Sequence, residues 1–195
     1  MDIKEIRKDF PILNEKVYNK PLVYLDNGAT TQMPECVMNC WREHYCHENA
    51  NVHRGIHYLS ERSTMALEKA RETAAEFIGS DHPEEIVFTS GATDSLNLAA
   101  SGYAFPKLKP GRKVIVTEFE HHSNYVPWQQ AAKRAGAEFV VIPRKGDLLD
   151  LSVLERELDK NTVMLSVTAV SNVTGTRMPL EQIIPMAHDY GIPVC

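Results

Sequence analysis

Thr89-Ser90-Gly91-Ala92-Thr93-Asp94-Ser95 follows an apolar run and opens a helical pattern. Small residues there let backbone N–H groups approach an anion, and a helix start adds unpaired donors and a favourable dipole. The Thr93 hydroxyl adds one more donor, which suits a single phosphate; the nucleotide loop G-x-x-x-x-G-K-[ST] is absent. In Glu118-Phe119-Glu120-His121-His122-Ser123-Asn124, after a second apolar run, a flat imidazole could lie against a bound ring. In Ser171-Asn172-Val173-Thr174-Gly175, after a third, Asn172 could donate to a phenolic or carbonyl oxygen. Asn51-Val52-His53-Arg54-Gly55-Ile56-His57 carries Arg54, whose forked guanidinium suits a carboxylate. Each stretch alone also fits a plain role: a turn capped by Thr93, a polar loop, a turn built on Asn and Gly, a basic surface cluster. Together, a phosphate cradle, an aromatic stacker and an oxygen-directed amide at one sheet edge describe a site for a flat, phosphorylated heteroaromatic ligand.

Cys36, Cys40, His44 and His47 are metal-ligand types at helical spacing. On a helix, however, residues 36 and 47 lie about 16 Å apart along the axis, at ~1.5 Å per residue. Zinc needs every ligand within about 2.0–2.3 Å. One i,i+4 pair could chelate and no more, so the cysteines read as small apolar residues of an amphipathic helix, and no metal is expected.

The elements that must hold these stretches follow from periodicity. Ile3, Ile6 and Phe10 mark a short helix that must stop before Pro11. Leu22–Leu25 is an apolar run ended by Asp26-Asn27-Gly28. Helical patterns span 34–47 and 60–78, the second closed by Gly79. Beyond it, Val- and Ile-rich runs at 86–89, 114–117, 139–142 and 163–170 predict strands. They alternate with helical patterns at 93–100, 123–135 and 151–158. Leu180, Ile183, Ile184 and Ala187 mark a last helix, closed at Gly191 before the apolar Ile192–Cys195. The alternation predicts an α/β fold with a mostly parallel sheet flanked by helices. In such a sheet, ligands bind beyond the carboxyl ends of the strands, where the segments at 89–95, 118–124 and 171–175 fall.

The 195 residues carry 21 Lys and Arg against 26 Asp and Glu, a formal charge of −5, and 43% apolar residues. That suffices for one sizeable core and argues against a nucleic-acid binder, which would show a basic patch. No window approaches about 18 uninterrupted apolar residues. The opening decapeptide has no apolar signal core, and the four cysteines form no disulfide framework, so a cytoplasmic, reducing location is expected. Residues 192–195 read as the start of a buried strand, from which the chain is expected to be the front part of a longer polypeptide, exposing an apolar sheet edge if isolated.

Val23-Tyr24-Leu25-Asp26-Asn27-Gly28-Ala29-Thr30-Thr31, Val52-His53-Arg54-Gly55-Ile56-His57, Phe88-Thr89-Ser90-Gly91-Ala92-Thr93-Asp94, Glu120-His121-His122-Ser123-Asn124 through Pro127-Trp128, and Val170-Ser171-Asn172-Val173-Thr174-Gly175 occur in this order. Over essentially the whole chain this resembles the SUF-type cysteine desulfurases, class V aminotransferase-family enzymes that use pyridoxal 5'-phosphate (PLP). The resemblance implies the large domain of an aspartate aminotransferase-like PLP-dependent transferase, truncated here, with residues 1–20 as an N-terminal arm and 21–195 as the front of that domain. It implies conversion of L-cysteine to L-alanine, with sulfur carried as an enzyme persulfide to an acceptor protein of iron–sulfur cluster assembly, in a homodimer. Ala92 and Thr93 match the phosphate-binding turn, His121 the ring-stacking and catalytic histidine, and Asn172 the amide near the phenolic oxygen. His53, Arg54 and Ala29 fall in segments placed near the substrate. Gly28 stands where relatives often carry Ala. The family's Schiff-base lysine, its aspartate facing the pyridinium nitrogen, its persulfide cysteine and its carboxylate-binding arginine are expected beyond residue 195, and Cys36, Cys40, Cys46 and Cys195 match none of them. The chain alone is therefore expected to be inactive. A selenocysteine lyase, another class V enzyme, or a non-catalytic module binding a phosphorylated ligand are the alternatives.

Overall fold

The computed structural model describes residues 2–195, which divide into two compact units, one reaching to Val87 and one spanning Phe88–Cys195. Among the described residues no helix is long and apolar enough to cross a membrane.

In the first unit, α1 (Ile3–Lys8) is capped by the Asp2 carboxylate, which accepts from the Lys4 N–H at 2.9 Å. A two-stranded hairpin follows, β1 (Lys16–Val17) with β2 (Lys20–Pro21). α2 (Glu35–Glu43) passes into a wider π turn at His44–Glu48, and α3 (Tyr58–Ile78) ends on Gly79 in the left-handed region at φ 77°. A residue without Cβ adopts that conformation without steric cost, which is why the helix stops there.

The second unit is built on a parallel sheet. α4 (Ala92–Leu98) continues as a π-type segment, Ala99–Ala104, before β3 (Lys113–Thr117). α5 (His122–Ala135) leads to β4 (Glu138–Ile142), and a small hairpin of β5 (Arg144–Lys145) and β6 (Leu148–Leu149) precedes α6 (Leu151–Glu157). β7 (Thr162–Ser166) and α7 (Leu180–His188) complete the unit. The strand order is β4-β3-β7, all parallel. A further parallel neighbour lies beside β7, where Val194 bridges Leu165 and the Cys195 N–H donates to the Leu165 carbonyl at 2.9 Å.

Alternation along β3 sends its side chains to two cores. Val114 and Val116 pack with Trp128 and Ala131 of α5, whereas Ile115 packs with Leu154 of α6 and with Ile183 and Ala187 of α7. All of these but Ala131 are essentially fully buried. Each such branched side chain contributes roughly 1.5–3 kcal/mol on leaving water. α5, with Ala100 and Ala104 of the segment that continues α4, thus covers one face, and α6 and α7 cover the other, as a doubly wound sheet requires.

Two strand expectations need correction. Residues 86–89 belong to no strand, because a β-branched run becomes one only where a neighbour supplies the ladder. The run expected at 163–170 ends at Ser166, since β3, its partner, ends at Thr117 and the last pair is Val116 with Ser166.

Candidate functional site

The strand order decides where a ligand can enter. β3 connects through α5 to β4 on one side, and β4 connects back past β3 to β7 on the other. The segments leaving β3 and β7 therefore run to opposite faces, and the crevice between their carboxyl ends is the switch point at which open α/β sheets bind ligands. A hollow of about 240 Å³ lies there, lined by Glu120 and His121 after β3, Ser123 and Asn124 of α5, Val167 and Thr168 after β7, with Leu96 and Cys195. A second hollow of about 450 Å³ adjoins it, and Thr93, Asn97, His121, His122, Ser123 and Arg134 are among its lining residues. His121 and Ser123 border both.

His121 is the N-cap of α5, with extended backbone at φ −66°, ψ 150°. Its Nδ1 accepts from the Ser123 N–H at 3.2 Å and lies 2.8 Å from the Ser123 hydroxyl. A nitrogen that accepts from a backbone amide holds no proton, so the neutral ring carries its proton on Nε2. The ring is exposed, and the His122 ring stands edge-on at 6.1 Å.

Thr93 sits in the first turn of α4. The Ser95 N–H bonds to the Gly91 carbonyl at 3.1 Å, and Asp94 accepts from the Ser90 N–H at 3.3 Å and the Ser90 hydroxyl at 3.2 Å. The N–H groups of Ala92, Thr93 and Asp94, and the Thr93 hydroxyl, make no hydrogen bond among the described residues. These donors are what an anion would use.

Asn172 lines neither hollow. It is exposed in a turn organised by the buried Ser171, whose hydroxyl accepts from the Val173 and Thr174 N–H groups at 3.3 Å each. Thr93 and His121 thus share a hollow, and the third residue of that set does not join them.

Ala29, His53 and Arg54 belong to the first unit. Ala29 lies in a turn whose Asp26 and Thr30 carbonyls both accept from the Tyr24 hydroxyl, the second at 2.6 Å. Hydroxyls of α3 hold the loop before it. Ser60 donates to the Asn51 carbonyl at 2.6 Å and accepts from the Gly55 N–H at 3.0 Å, and Thr64 accepts from the His53 N–H at 3.0 Å. His53 adopts φ 61°, a left-handed conformation worth about 1–3 kcal/mol of strain in a residue with a side chain. Its Nε2 lies 3.1 Å from Glu68. Arg54 is exposed, with no hydrogen bond or ion pair among the described residues. No group of three or more His, Cys, Asp or Glu among the described residues could hold a metal ion.

Sequence reasoning missed the polar network beneath His121. Glu120 accepts from the Thr117 hydroxyl at 2.6 Å, the Asn124 amide at 2.6 Å and the Thr168 N–H at 2.9 Å. The Asn124 oxygen in turn accepts from Trp128 Nε1 at 2.9 Å and the Ser166 hydroxyl at 2.6 Å. The i,i+4 spacing of Glu120, Asn124 and Trp128 was the available signal. At the edge of this network, burial pushes the Cys195 thiol up; a hydrogen bond with Ser166 opposes the shift and the Glu120 charge adds to it.

A profile of the aminotransferase class-V family matches residues 23–195. A cysteine desulfurase of Klebsiella pneumoniae subsp. pneumoniae is 44% identical over 193 residues, which are 98% of this chain and 48% of that protein. A probable cysteine desulfurase of Mycolicibacterium paratuberculosis is 44% identical over 195 residues, 99% of this chain and 28% of that one. Among solved structures, the apo cysteine desulfurase from Thermococcus onnurineus NA1 superposes with a TM-score of 0.90 at 36% identity, covering all of this chain and 46% of its own. The chain spans less than half the length of these relatives.

Proposed function

Because this chain belongs to the aminotransferase class-V family, we propose that it supplies one part of the cofactor site of a PLP-dependent cysteine desulfurase. Residues 1–20 act as an arm and 21–195 as the front of the large domain. The observation that carries this reading is the adjoining pair of hollows at the switch point, with unpartnered donors at Thr93 and an exposed imidazole at their shared border. The donor set fits PLP: the open amides and hydroxyl at Ala92 and Thr93 suit a phosphate, and the His121 ring offers a flat face to a pyridine. When bound, PLP supplies an electron sink for breaking bonds next to the substrate amine.

This chain's residues bind, orient and hold a proton. Ala92 and Thr93 hold the phosphate. His121 stacks on the ring, and with Nδ1 engaged by Ser123 it presents Nε2 as the atom that gives or takes a proton. Asn172 is assigned to the phenolic oxygen by resemblance alone. His53, Arg54 and Ala29 serve the substrate L-cysteine, with the Arg54 guanidinium open to a carboxylate. The whole protein works as a cytoplasmic homodimer and passes sulfur to an acceptor protein of iron–sulfur assembly.

The test is to load the full-length protein with PLP, supply L-cysteine together with a dithiol that reduces the persulfide to sulfide, and measure alanine and sulfide, with selenocysteine in parallel. Alanine formation with cysteine preferred is expected. Turnover of selenocysteine alone would assign a selenocysteine lyase, and PLP binding without elimination another class-V reaction. Absence of PLP binding would overturn the reading.

A further inference from the structure

The donor and acceptor pattern of the network under His121 assigns Glu120 a role beyond packing. Trp128 Nε1–H is a donor only, and so is the Thr168 backbone N–H. Trp128 faces the Asn124 oxygen at 2.9 Å, which fixes the orientation of that amide and turns its NH₂ group to Glu120 at 2.6 Å. Glu120 therefore meets donors on both carboxylate oxygens, one from α5 and one, Thr168, from the segment after β7, with the Thr117 hydroxyl of β3 as a third. The next residue along the chain is His121.

We propose that Glu120 is the positioning residue for His121: it ties the turn between β3 and α5 to the end of β7 and so fixes where the imidazole stands at the border of the two hollows. The proposal rests on the cofactor reading for its consequence, the binding of PLP, but not for its geometry. Two features support it beyond proximity. The three donors come from three separate elements, β3, α5 and the segment after β7, so their convergence sets the spacing of the switch-point crevice itself. The Asn124 oxygen is held at the same time by Trp128 and by the Ser166 hydroxyl at the last residue of β7, which makes a second tie across the same crevice. Satisfied buried networks of this kind specify one arrangement, and half-satisfied ones do not.

The pattern also supplies its own test. Glu120→Gln is nearly isosteric, yet its NH₂ must face a donor, either the Asn124 amide or the Thr168 N–H, and Asn124 cannot turn over without abandoning Trp128. Glu120→Gln/Asn124→Asp exchanges the donor and acceptor across the pair: the new carboxylate accepts from the new amide, from Trp128 and from Ser166 together, and the charge is conserved. In the full-length protein without ligand, Glu120→Gln is expected to move the His121 ring ¹⁵N shifts and to speed Ser123 amide exchange, while the double variant restores both. With PLP added, the dissociation constant read by fluorescence quenching is expected to rise about tenfold in the single variant, the weight of one broken charge-assisted hydrogen bond, and to return to within about twofold in the double. In a His121→Ala background, Glu120→Gln is expected to cost clearly less PLP affinity than it does in the wild-type background.

Wild-type His121 shifts in Glu120→Gln, a double variant as impaired as the single, or an equal loss of affinity in the His121→Ala background would each overturn the proposal. Glu120→Asp is the second variant should Glu120→Gln not fold: it keeps the charge but shortens the reach, and wild-type His121 shifts there are equally fatal. If the wild-type protein binds no PLP, the cofactor reading fails alone, and the His121 shifts and Ser123 exchange still decide the role of Glu120.

Discussion

Adding one methyl group at Gly55 and one at Gly28 is expected to act on the stability of the protein in opposite directions. A Cβ on Gly55 would stand 2.6 Å from both Cβ and Oγ of Ser60 and 3.0 Å from Nε2 of His57. Ser60 is fully buried, and its Cβ is fixed by the backbone of α3, so the loop must retreat. Retreat stretches the 3.0 Å bond from the Gly55 N–H to Ser60. Overpacking costs about 1–3 kcal/mol and the lost hydrogen bond about 1, so Gly55→Ala is expected to destabilise by roughly 2–4 kcal/mol. Gly28 has nothing within 4 Å of its would-be Cβ and does not adopt positive φ. There Ala acts mainly by restricting the unfolded chain, a gain of about 0.4–1 kcal/mol. Urea unfolding of the full-length protein, followed by far-ultraviolet circular dichroism, measures both as midpoint shifts at constant slope. A Gly55→Ala protein within about 0.5 kcal/mol of wild type would refute the argument from close approach.

Thr93→Val keeps the shape of the side chain but removes a hydroxyl that lines the hollow and has no hydrogen-bond partner among the described residues, so PLP affinity should fall about tenfold, read by fluorescence titration, with the melting temperature unchanged. Trp128→Phe retains an aromatic ring in a fully buried place but takes a donor from the Asn124 oxygen and leaves a small void. A loss of about 2 kcal/mol in urea unfolding is expected. Asp150 caps α6, and its carboxyl is held below its usual 3.8, chiefly by the Ser152 hydroxyl; burial opposes this, and the Val153 and Ser152 N–H groups and the Lys145 charge add to it. A depressed carboxyl contributes stability above its unfolded value, and this is lost as pH falls through the folded value. Asp150→Asn keeps a good cap, so its stability should be flatter on the acid side in unfolding curves measured from pH 5 down to about pH 2.

What could be read from the chain was what depends on neighbours in sequence. The apolar β3, the α5 pattern and the glycine stop after Ile78 each carry their signal within a few residues. The β1–β2 hairpin carries none: its turn places Tyr18 at φ 52° and Asn19 at φ 62°, where Asn-Gly would have been the recognisable pair. The run at 86–89 has the composition of a strand, and only a ladder partner could have made it one. The same division holds at the site. Thr93 and His121 were legible as types at helix starts, but the hollow they share depends on how α4 and α5 pack. The tie from Glu120 to Thr168 spans 48 residues and is set by strand order alone.

Strand order also explains why the network sits where it does. At a switch point the two flanking strands send their chains to opposite faces, so the crevice has no continuous backbone to set its width. Helices cannot do so either, since α5 packs on one core and α6 and α7 on the other. Side chains must bridge it, and a carboxylate is well suited, because its two oxygens can take donors from both walls at once. Glu120 does this from the β3 side, with Thr168 from the β7 side at 2.9 Å. The physical demand that opens a binding crevice in this fold is met here by a hydrogen-bonded brace at its base, and that brace adjoins the histidine at the crevice mouth.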